Sequence, residues 1–275
     1  MRIEAEFLNG DRYRTLENDG AFKKRTSSLI STFRFYPRIL SETWRASRYM
    51  SKNPFDDKKL FHYCETLFRA LEKLNIHFEI EGIDHIRGLN GPVVFISNHM
   101  STLETIIIPL VILPFTRFSY VAKESLSRLP VFKKIVLARK PILVTLKDHF
   151  KDIVIVMKEG VKRLEEGVSV VIFPEAKRYP AFDSKKFRPI GLHLAKRAHV
   201  PVIPIAVKTD AWSIGKVVRL KEFGTLHPEK EVHIEFGSPR EISKNIMKDH
   251  DDIVHFIQER LLQWKEASKE KDCIE

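Results

Sequence analysis

The sequence predicts an α/β fold in which a mostly parallel β-sheet is flanked by helices, with an N-terminal helical segment in front of it. From residue 93 onwards, short runs rich in β-branched residues alternate with stretches of helical periodicity. The runs are apolar throughout, which is typical of strands covered on both faces, and the helical stretches between them supply the crossover connections of a parallel sheet.

Five apolar runs are predicted to form this sheet, at residues 93–97, 117–122, 141–146, 168–173 and 200–207. A helix is predicted over 149–166, ended by Gly167 in the C-cap position. The run at 232–236 alternates polar and apolar residues, which predicts a more exposed strand. A C-terminal amphipathic helix follows, with a Trp expected to pack, and its apolar positions are Ile253, Phe256, Ile257, Leu261 and Trp264.

The chain is predicted to divide into an N-terminal helical segment, 1–77, and a domain of 78–275, with the change at a stretch containing glycine and proline. Helices are predicted over 21–52 and 56–74. The first mixes basic with aromatic residues and holds one acid, Glu42. This composition is typical of an anchor at a membrane surface, and also of an amphipathic helix docked on the core; the two interpretations are compatible.

Charge and cysteine usage restrict the class of protein. The net charge of +11 favours partners that carry phosphate, namely nucleic acid, an anionic bilayer or a phosphorylated substrate. Cys64 and Cys273 stand far apart, so neither a disulfide scaffold nor a metal site is expected. The longest apolar run, 106–115, contains two prolines and falls short of the roughly 20 residues of a membrane span. With no secretory signal visible, we expect a protein that lies peripherally on the cytoplasmic face of a membrane.

Two polar motifs follow predicted strands. The first, Asn98 to Glu104, places His99 at the carboxyl edge of the sheet, where open α/β sheets have their sites. The carboxylate of Glu104 can fold back onto the imidazole, fix its tautomer and stabilise its protonated form. The alternative is a loop histidine of no special role, with a glutamate that favours the start of a helix.

The second motif, from Phe173 to Arg178, follows the strand at 168–173 and faces the same edge. Its Lys177 and Arg178, together with Lys123 after the strand at 117–122, are suited to bind an anionic oxygen. Each cation alone would be an ordinary surface residue. Three of them at successive strand ends predict an anion site beside the histidine.

The two motifs, NHMSTLE and FPEAKR, resemble the NHxxxxD and FPEGTR motifs of the glycerolipid acyltransferases typified by lysophosphatidic acid acyltransferase. The resemblance extends over about residues 80–240 in the family's order. It includes Lys123 with Leu129-Pro130, Phe187 in FRPIG, and the segment VPVIPIAV. It implies a glycerol-3-phosphate acyltransferase-like fold and an O-acyltransferase of phospholipid biosynthesis.

By this resemblance His99 is the general base, Glu104 orients it and Arg178 binds the acceptor's phosphate. Lys123 and Lys177 are further substrate ligands, and Glu175 positions the acceptor or braces the loop. Asn98 and Pro174 are structural. The implied reaction transfers a fatty acyl group to a lysophospholipid, most simply 1-acyl-sn-glycerol-3-phosphate giving phosphatidic acid. It needs no cofactor, because acyl-CoA or an acyl carrier protein is a co-substrate.

Three departures from the family pattern stand out. Glu104 replaces Asp, Ala176 and Lys177 replace Gly-Thr, and the Arg that usually follows the third strand is missing, with Lys147 as a possible substitute. They leave open another lysolipid acceptor, or a relative that binds lipid without catalysis. A nucleic-acid-binding protein is the least favoured alternative, because none of the usual motifs is present.

Overall fold

The computed structural model describes residues 3–16, 27–53, 56–128, 130–137, 139–215 and 224–274. The helices are α1 (Ser28–Met50), α2 (Asp57–Glu72), α3 (Asp84–Arg87), α4 (Glu104–Ile112), α5 (Pro130–Leu137), α6 (His149–Glu165), α7 (Ile190–Ala198) and α8 (Ile246–Ile274). The strands are β1 (Arg12–Arg14), β2 (Phe78–Glu81), β3 (Val94–Ser97), β4 (Phe118–Lys123), β5 (Ile142–Val144), β6 (Ser169–Ile172), β7 (Val202–Lys208) and β8 (Val232–Phe236).

These strands form one sheet in the order β1-β2-β8-β7-β3-β6-β4-β5. The five predicted strands, now β7, β3, β6, β4 and β5, run parallel to one another. The sheet changes direction between β7 and β8, where Ile205 pairs antiparallel with Phe236, and again between β2 and β1. The expected parallel sheet is therefore confirmed in its central part, while one edge is mixed. β1 and β2 were not predicted.

The prediction of a more exposed strand at 232–236 is wrong. Val232, Ile234 and Phe236 are buried in the core on one face of β8. On the other face, the His233 ring stacks on Trp264 of α8 at a centroid distance of 5.2 Å. The polar residues of this strand thus pack beneath the C-terminal helix, which also confirms the packing role expected for the Trp.

Helices cover both faces of the sheet. One core includes α1, α2 and α4, with Phe35, Leu67 and Ile107 among its buried side chains. The other lies under α6, α7 and α8 and includes Val156 and Leu192. Gly167 ends α6 as predicted, with a positive φ of 72° that glycine adopts without steric cost.

Helix α1 has one buried and one exposed face. It begins after Ser27, whose side chain accepts a hydrogen bond from the N–H of Ile30, and buries Phe35, Ile39, Ala46 and Met50 against the core. The docked amphipathic helix is therefore confirmed. Large apolar side chains nevertheless remain exposed on the opposite face: Leu29, Ile30, Phe33, Leu40, Trp44 and Tyr49.

The structure describes only part of the helix that is predicted over 21–52. Phe22 and the basic residues 23–25 lie outside the described residues. Within the described ranges, no helix is both long enough and apolar enough to cross a bilayer. The division of the chain at residues 77 and 78 stays a prediction.

Candidate active site

Both motifs lie at the carboxyl edge of the parallel strands, on neighbouring loops. β3 and β6 are adjacent, with Ile96 opposite Ile172, so the chain leaves both strands at the same level. We call residues 98–104 after β3 the His99 turn and residues 173–179 after β6 the Glu175 loop. The expectation that the two motifs share one edge of the sheet is confirmed.

Asn98 fixes the start of the His99 turn to the neighbouring strand. Its buried side chain donates a hydrogen bond from Nδ2 to the Val207 carbonyl and accepts one at Oδ1 from the Val207 N–H, both at 2.9 Å. The amide side chain of Asn98 thus makes the two hydrogen bonds to Val207 that a strand residue would make, at the point where β3 ends. Asn98 therefore has the structural position expected for it.

Glu104 begins α4 and folds back over the turn. Its Oε1 accepts hydrogen bonds from the N–H groups of Met100, at 2.5 Å, and Ser101, at 2.8 Å, and its Oε2 accepts one from the Ser101 hydroxyl at 2.9 Å. The same Oε1 lies 3.5 Å from Nδ1 of His99. The longer side chain of glutamate thus reaches both the turn and His99 from the first residue of the helix.

The electrostatics of the pair favour a carboxylate beside the imidazole. Complete burial would raise the pKa of Glu104, but the contact with His99 and the N–H donors of the turn outweigh it, so the pKa lies below its ordinary value. The His99 ring stacks on Phe173 at 4.3 Å between centroids, and its side chain keeps 16% of its accessible surface. With Nδ1 directed at Glu104, Nε2 is the ring nitrogen left to meet a substrate.

The Glu175 loop is hydrogen-bonded to both backbone groups of His99, its N–H and its carbonyl. The Oε2 atom of Glu175 accepts the backbone N–H of His99 at 2.8 Å, and the N–H of Tyr179 donates to the His99 carbonyl at 2.9 Å. Burial raises the pKa of Glu175 to about 7, although the N–H of His99 acts in the opposite direction. Glu175 thus links the loop to the His99 turn.

Ala176 adopts a left-handed conformation, with φ at 59°. The family's glycine enters this region without strain, whereas a Cβ makes it unfavourable. The loop is therefore formed despite the substitution noted in the sequence, at a local cost in conformational energy. Pro174 precedes this turn and is buried.

The predicted cations are distributed along the same edge. Arg178 is partly buried, and its Nη1 donates to the Thr102 hydroxyl at 2.5 Å, which places the guanidinium over the His99 turn. Lys177 is exposed beside it. Lys123 ends β4, next to β6, and is also exposed, while Lys147 follows β5 one strand further away.

The structure thus brings four predicted residues into one cluster: His99, Glu104, Glu175 and Arg178. Sequence reasoning missed Thr102, which positions the arginine, and Tyr179, which closes the loop. Thr102 lies inside the first motif and could have been considered, whereas Tyr179 acts through its backbone, which residue type does not reveal. Across the described ranges, no group of three or more His, Cys, Asp or Glu residues is arranged to hold a metal ion.

The part of the chain that carries both motifs is similar to known acyltransferases. A family model described as acyltransferase matches residues 77–208, which contain both motifs. Residues 77–208 of the chain are therefore similar to this acyltransferase family, over just under half of its length. A 1-acyl-sn-glycerol-3-phosphate acyltransferase of Pseudomonas aeruginosa is 34% identical over 131 residues, which are 48% of this chain and 49% of that protein.

Other relatives of the family extend the comparison. An uncharacterised acyltransferase of Schizosaccharomyces pombe is 27% identical over 143 residues, 50% of this chain and 48% of its own length. The chain therefore spans about half the length of these two relatives. The crystal structure of the 1-acyl-sn-glycerophosphate (LPA) acyltransferase from Thermotoga maritima superposes with a TM-score of 0.67 at 20% identity, covering 86% of this chain and 96% of that one. This likeness confirms the predicted fold.

Proposed function

We propose that the protein transfers a fatty acyl group from a thioester, acyl-CoA or acyl carrier protein, to the free hydroxyl of a lysophospholipid. The proposed acceptor is 1-acyl-sn-glycerol-3-phosphate, which the reaction converts to phosphatidic acid. The observation that carries the proposal is the His99 cluster, in which a base held by a buried carboxylate shares the sheet edge with Arg178. The match of residues 77–208 to the acyltransferase family model and the named relative support the same reaction.

In the proposed mechanism, Nε2 of His99 removes the proton of the acceptor hydroxyl as its oxygen attacks the thioester carbonyl. The new C–O bond forms, the C–S bond breaks, and the thiolate leaves and takes the proton back from the imidazolium. Glu104, whose Oε1 lies 3.5 Å from Nδ1, stabilises the positive charge that His99 carries between these steps.

Direct transfer is favoured over an acyl-enzyme. Of the two hydroxyl side chains in the His99 turn, Thr102 accepts a hydrogen bond from Arg178, and Ser101 is 1% exposed. Its Oγ donates to Glu104 and lies 3.1 Å from the Thr209 hydroxyl, and it accepts the N–H of Leu103. A hydroxyl engaged in this way serves the structure of the turn and does not face a substrate.

The basic residues of the edge would bind the acceptor's phosphate. Arg178 offers a planar fork of donors, and Lys177 and Lys123 add positive charge at the exposed side.

At the membrane, the exposed face of α1 would contact the bilayer. Its apolar side chains alternate with Arg34, Arg38, Arg45 and Arg48, and the Arg48 guanidinium lies 5.6 Å from the centre of the Trp44 ring. We propose peripheral binding to the cytoplasmic face.

An assay of purified protein with acyl-CoA or acyl carrier protein and a panel of lysophospholipids tests this function. We expect esterified product with at least one phosphate-bearing acceptor, and a loss of about 10²- to 10⁴-fold in rate for His99→Ala. His255→Ala, which removes an exposed histidine of α8, is the matched control and should keep full activity. Vesicle binding without product from any acceptor would favour the non-catalytic relative instead, and an unchanged rate in His99→Ala would exclude His99 as the base.

A further inference from the structure

The first two turns of α6 expose bulky apolar side chains at the edge of the sheet that carries His99. Phe150 is 77% exposed, Ile153 is 48% exposed and Val154 is 50% exposed. We call these three residues, with Lys147 and Lys151 beside them, the α6 tip. The opposite side of the helix is buried through Asp152, Val156 and Gly160, so the tip is not part of the core.

The apolar character is confined to the tip. Further along the same exposed side of α6, the outward residues are Lys158, Lys162 and Glu165. A helix that merely covers the sheet would be polar over its whole outer face. The change from apolar to charged along one face indicates that only the end at the sheet edge meets an apolar environment.

The tip is held rigidly. The buried Asp152 carboxylate accepts the N–H groups of Thr145 at 2.9 Å and Leu146 at 2.7 Å, and Leu146 takes a left-handed φ of 58°. Asp148 caps the helix by accepting the N–H of Lys151 at 3.1 Å. The turn before α6 is therefore fixed by side-chain hydrogen bonds, which hold Lys147 and Phe150 at the carboxyl end of β5.

The α6 tip and the first half of α1 lie on opposite sides of the His99 site along the sheet edge, although α1 also packs against α5, which connects β4 to β5. The first half of α1 contacts the segment that follows β7: Tyr36 donates to the Gly224 carbonyl, and the Leu226 N–H donates to the Thr32 hydroxyl at 2.9 Å. β7 neighbours β3 on one side, and β5 lies three strands away on the other. The first half of α1 and the α6 tip therefore expose apolar side chains on either side of the site.

Charge at this edge matches an anionic surface. Besides the tip, exposed cations follow β4 and β6, namely Lys123, Lys177, Lys185, Lys186 and Arg188. Basic residues around exposed aromatic and aliphatic side chains fit a bilayer, whose headgroups are anionic and whose interior is apolar. An acidic carrier protein would match the cations but leave Phe150, Ile153 and Val154 without an apolar partner.

From these observations we infer that the α6 tip is a second membrane contact, which inserts its apolar side chains into an anionic bilayer beside the site. The inference rests on the proposed function, because it assigns how the acyltransferase site is oriented toward its lipid acceptor. With the first half of α1 on one side and the tip on the other, the bilayer would face the site of His99 and Arg178 directly.

Vesicle binding of the full chain tests this assignment. Phe150→Ser with Ile153→Ser should weaken binding to phosphatidylglycerol–phosphatidylcholine vesicles by about tenfold or more, the loss expected when a large apolar side chain no longer enters the bilayer. Met247→Ser is the matched control, because Met247 is 55% exposed in the first turn of α8, next to Asn245 and Ser243. Lys196, near the end of α7, donates a hydrogen bond to the Ser243 carbonyl. The control position therefore lies away from the sheet edge that carries His99. The control should bind as the unaltered protein does.

Two further measurements separate the outcomes. Transfer to a short-chain acceptor dissolved as monomers should be unchanged in the double variant, whereas transfer to lysolipid embedded in vesicles should fall with binding. Unchanged vesicle binding would overturn the inference, and so would a loss confined to transfer from acyl carrier protein, which would identify the tip as a carrier-protein site. Since vesicle binding needs no catalysis, a protein without transferase activity would contradict the proposed function and leave this binding test intact.

Discussion

The His99 turn and the Glu175 loop follow neighbouring strands, yet they are held in different ways. Glu104 is surrounded by donors within its own turn, and the pKa of this carboxylate lies below its ordinary value. Glu175 depends on a donor from the other motif, and burial raises its pKa to about 7. The loop also contains Ala176 in a left-handed conformation.

This difference suggests a division of labour. The His99 turn surrounds Glu104 with donors of its own, and it also bonds Val207 through Asn98, Thr209 through Ser101, and the Glu175 loop. The loop that carries Arg178 takes its position from the His99 peptide, through Glu175 and Tyr179. Changes in the turn should therefore act on the chemical step, and changes in the loop on acceptor binding and on stability.

The largest expected effect is that of Glu104→Gln. The N–H₂ group of Gln would face the N–H donors of the turn and the imidazole of His99, where the carboxylate accepts. Gln also carries no negative charge, so the imidazolium of His99 loses its stabilising partner. We expect kcat to fall at least about 10²-fold. Glu104→Asp restores the residue usual in the family and should stay within about tenfold of the unaltered protein. Equal losses in the two variants would show that the carboxylate has no specific role, and thermal unfolding of both checks that the turn survives.

A smaller effect on a different parameter is expected for Arg178→Lys. Lys keeps the charge but lacks the guanidinium fork that bonds Thr102 and, in our proposal, the acceptor's phosphate. KM for a phosphate-bearing acceptor should rise about 10- to 100-fold with little change in kcat. Arg197→Lys, on the exposed side of α7, is the control. A fall in kcat at unchanged KM would contradict the division between turn and loop.

The sequence predicted the central sheet and the cluster for a physical reason. Strands buried on both faces are read from continuous apolar runs, and the parallel arrangement then brings the carboxyl ends of β3, β4 and β6 to one edge. The resemblance to the family motifs supplied the roles that are proposed for His99 and Glu104. Their contact, at 3.5 Å, follows from the return of the chain at the start of α4.

Other features could not be predicted in this way. β1 and β2 are three and four residues long, and nothing local distinguishes them from a loop. β8 alternates polar and apolar residues, but His233 is buried because α8 packs over it through Trp264, a tertiary contact without a local signal. The positive φ of Ala176 likewise opposes local preference and is set by the hydrogen bonds of the loop around it.

The next prediction concerns pH and the buried carboxyl of the loop. A raised pKa means that folded Glu175 keeps its proton between its ordinary value of 4.5 and about 7, while the unfolded chain releases it. The free energy of unfolding should therefore fall as pH rises through this window, by about 2 kcal/mol after allowance for solvent screening.

Glu175→Gln should remove this pH dependence, because Gln can still accept the His99 N–H and carries no charge. Urea unfolding at pH 5 and pH 8 measures the effect. The expected result is a variant more stable than the unaltered protein at pH 8 and similar to it at pH 5. Glu165→Gln, on the exposed face of α6, should leave the difference between the two pH values as it was. If Glu175→Gln also left the difference in stability between pH 5 and pH 8 unchanged, the Glu175 carboxyl would be ionised throughout this pH range.

The smallest effect, and the one most specific to the loop, is that of Ala176→Gly. A left-handed alanine costs about 1–2 kcal/mol relative to glycine, and glycine in turn loses about 0.4–1 kcal/mol through the greater freedom of the unfolded chain. Ala176→Gly should therefore stabilise the protein by up to about 1 kcal/mol in urea unfolding. The same substitution at Ala267, on an exposed face of α8, should destabilise by about 1 kcal/mol, because a helix interior disfavours glycine. Opposite signs for one chemical change would locate the strain in the loop after β6, whereas destabilisation at both positions would mean that Ala176 is not strained there.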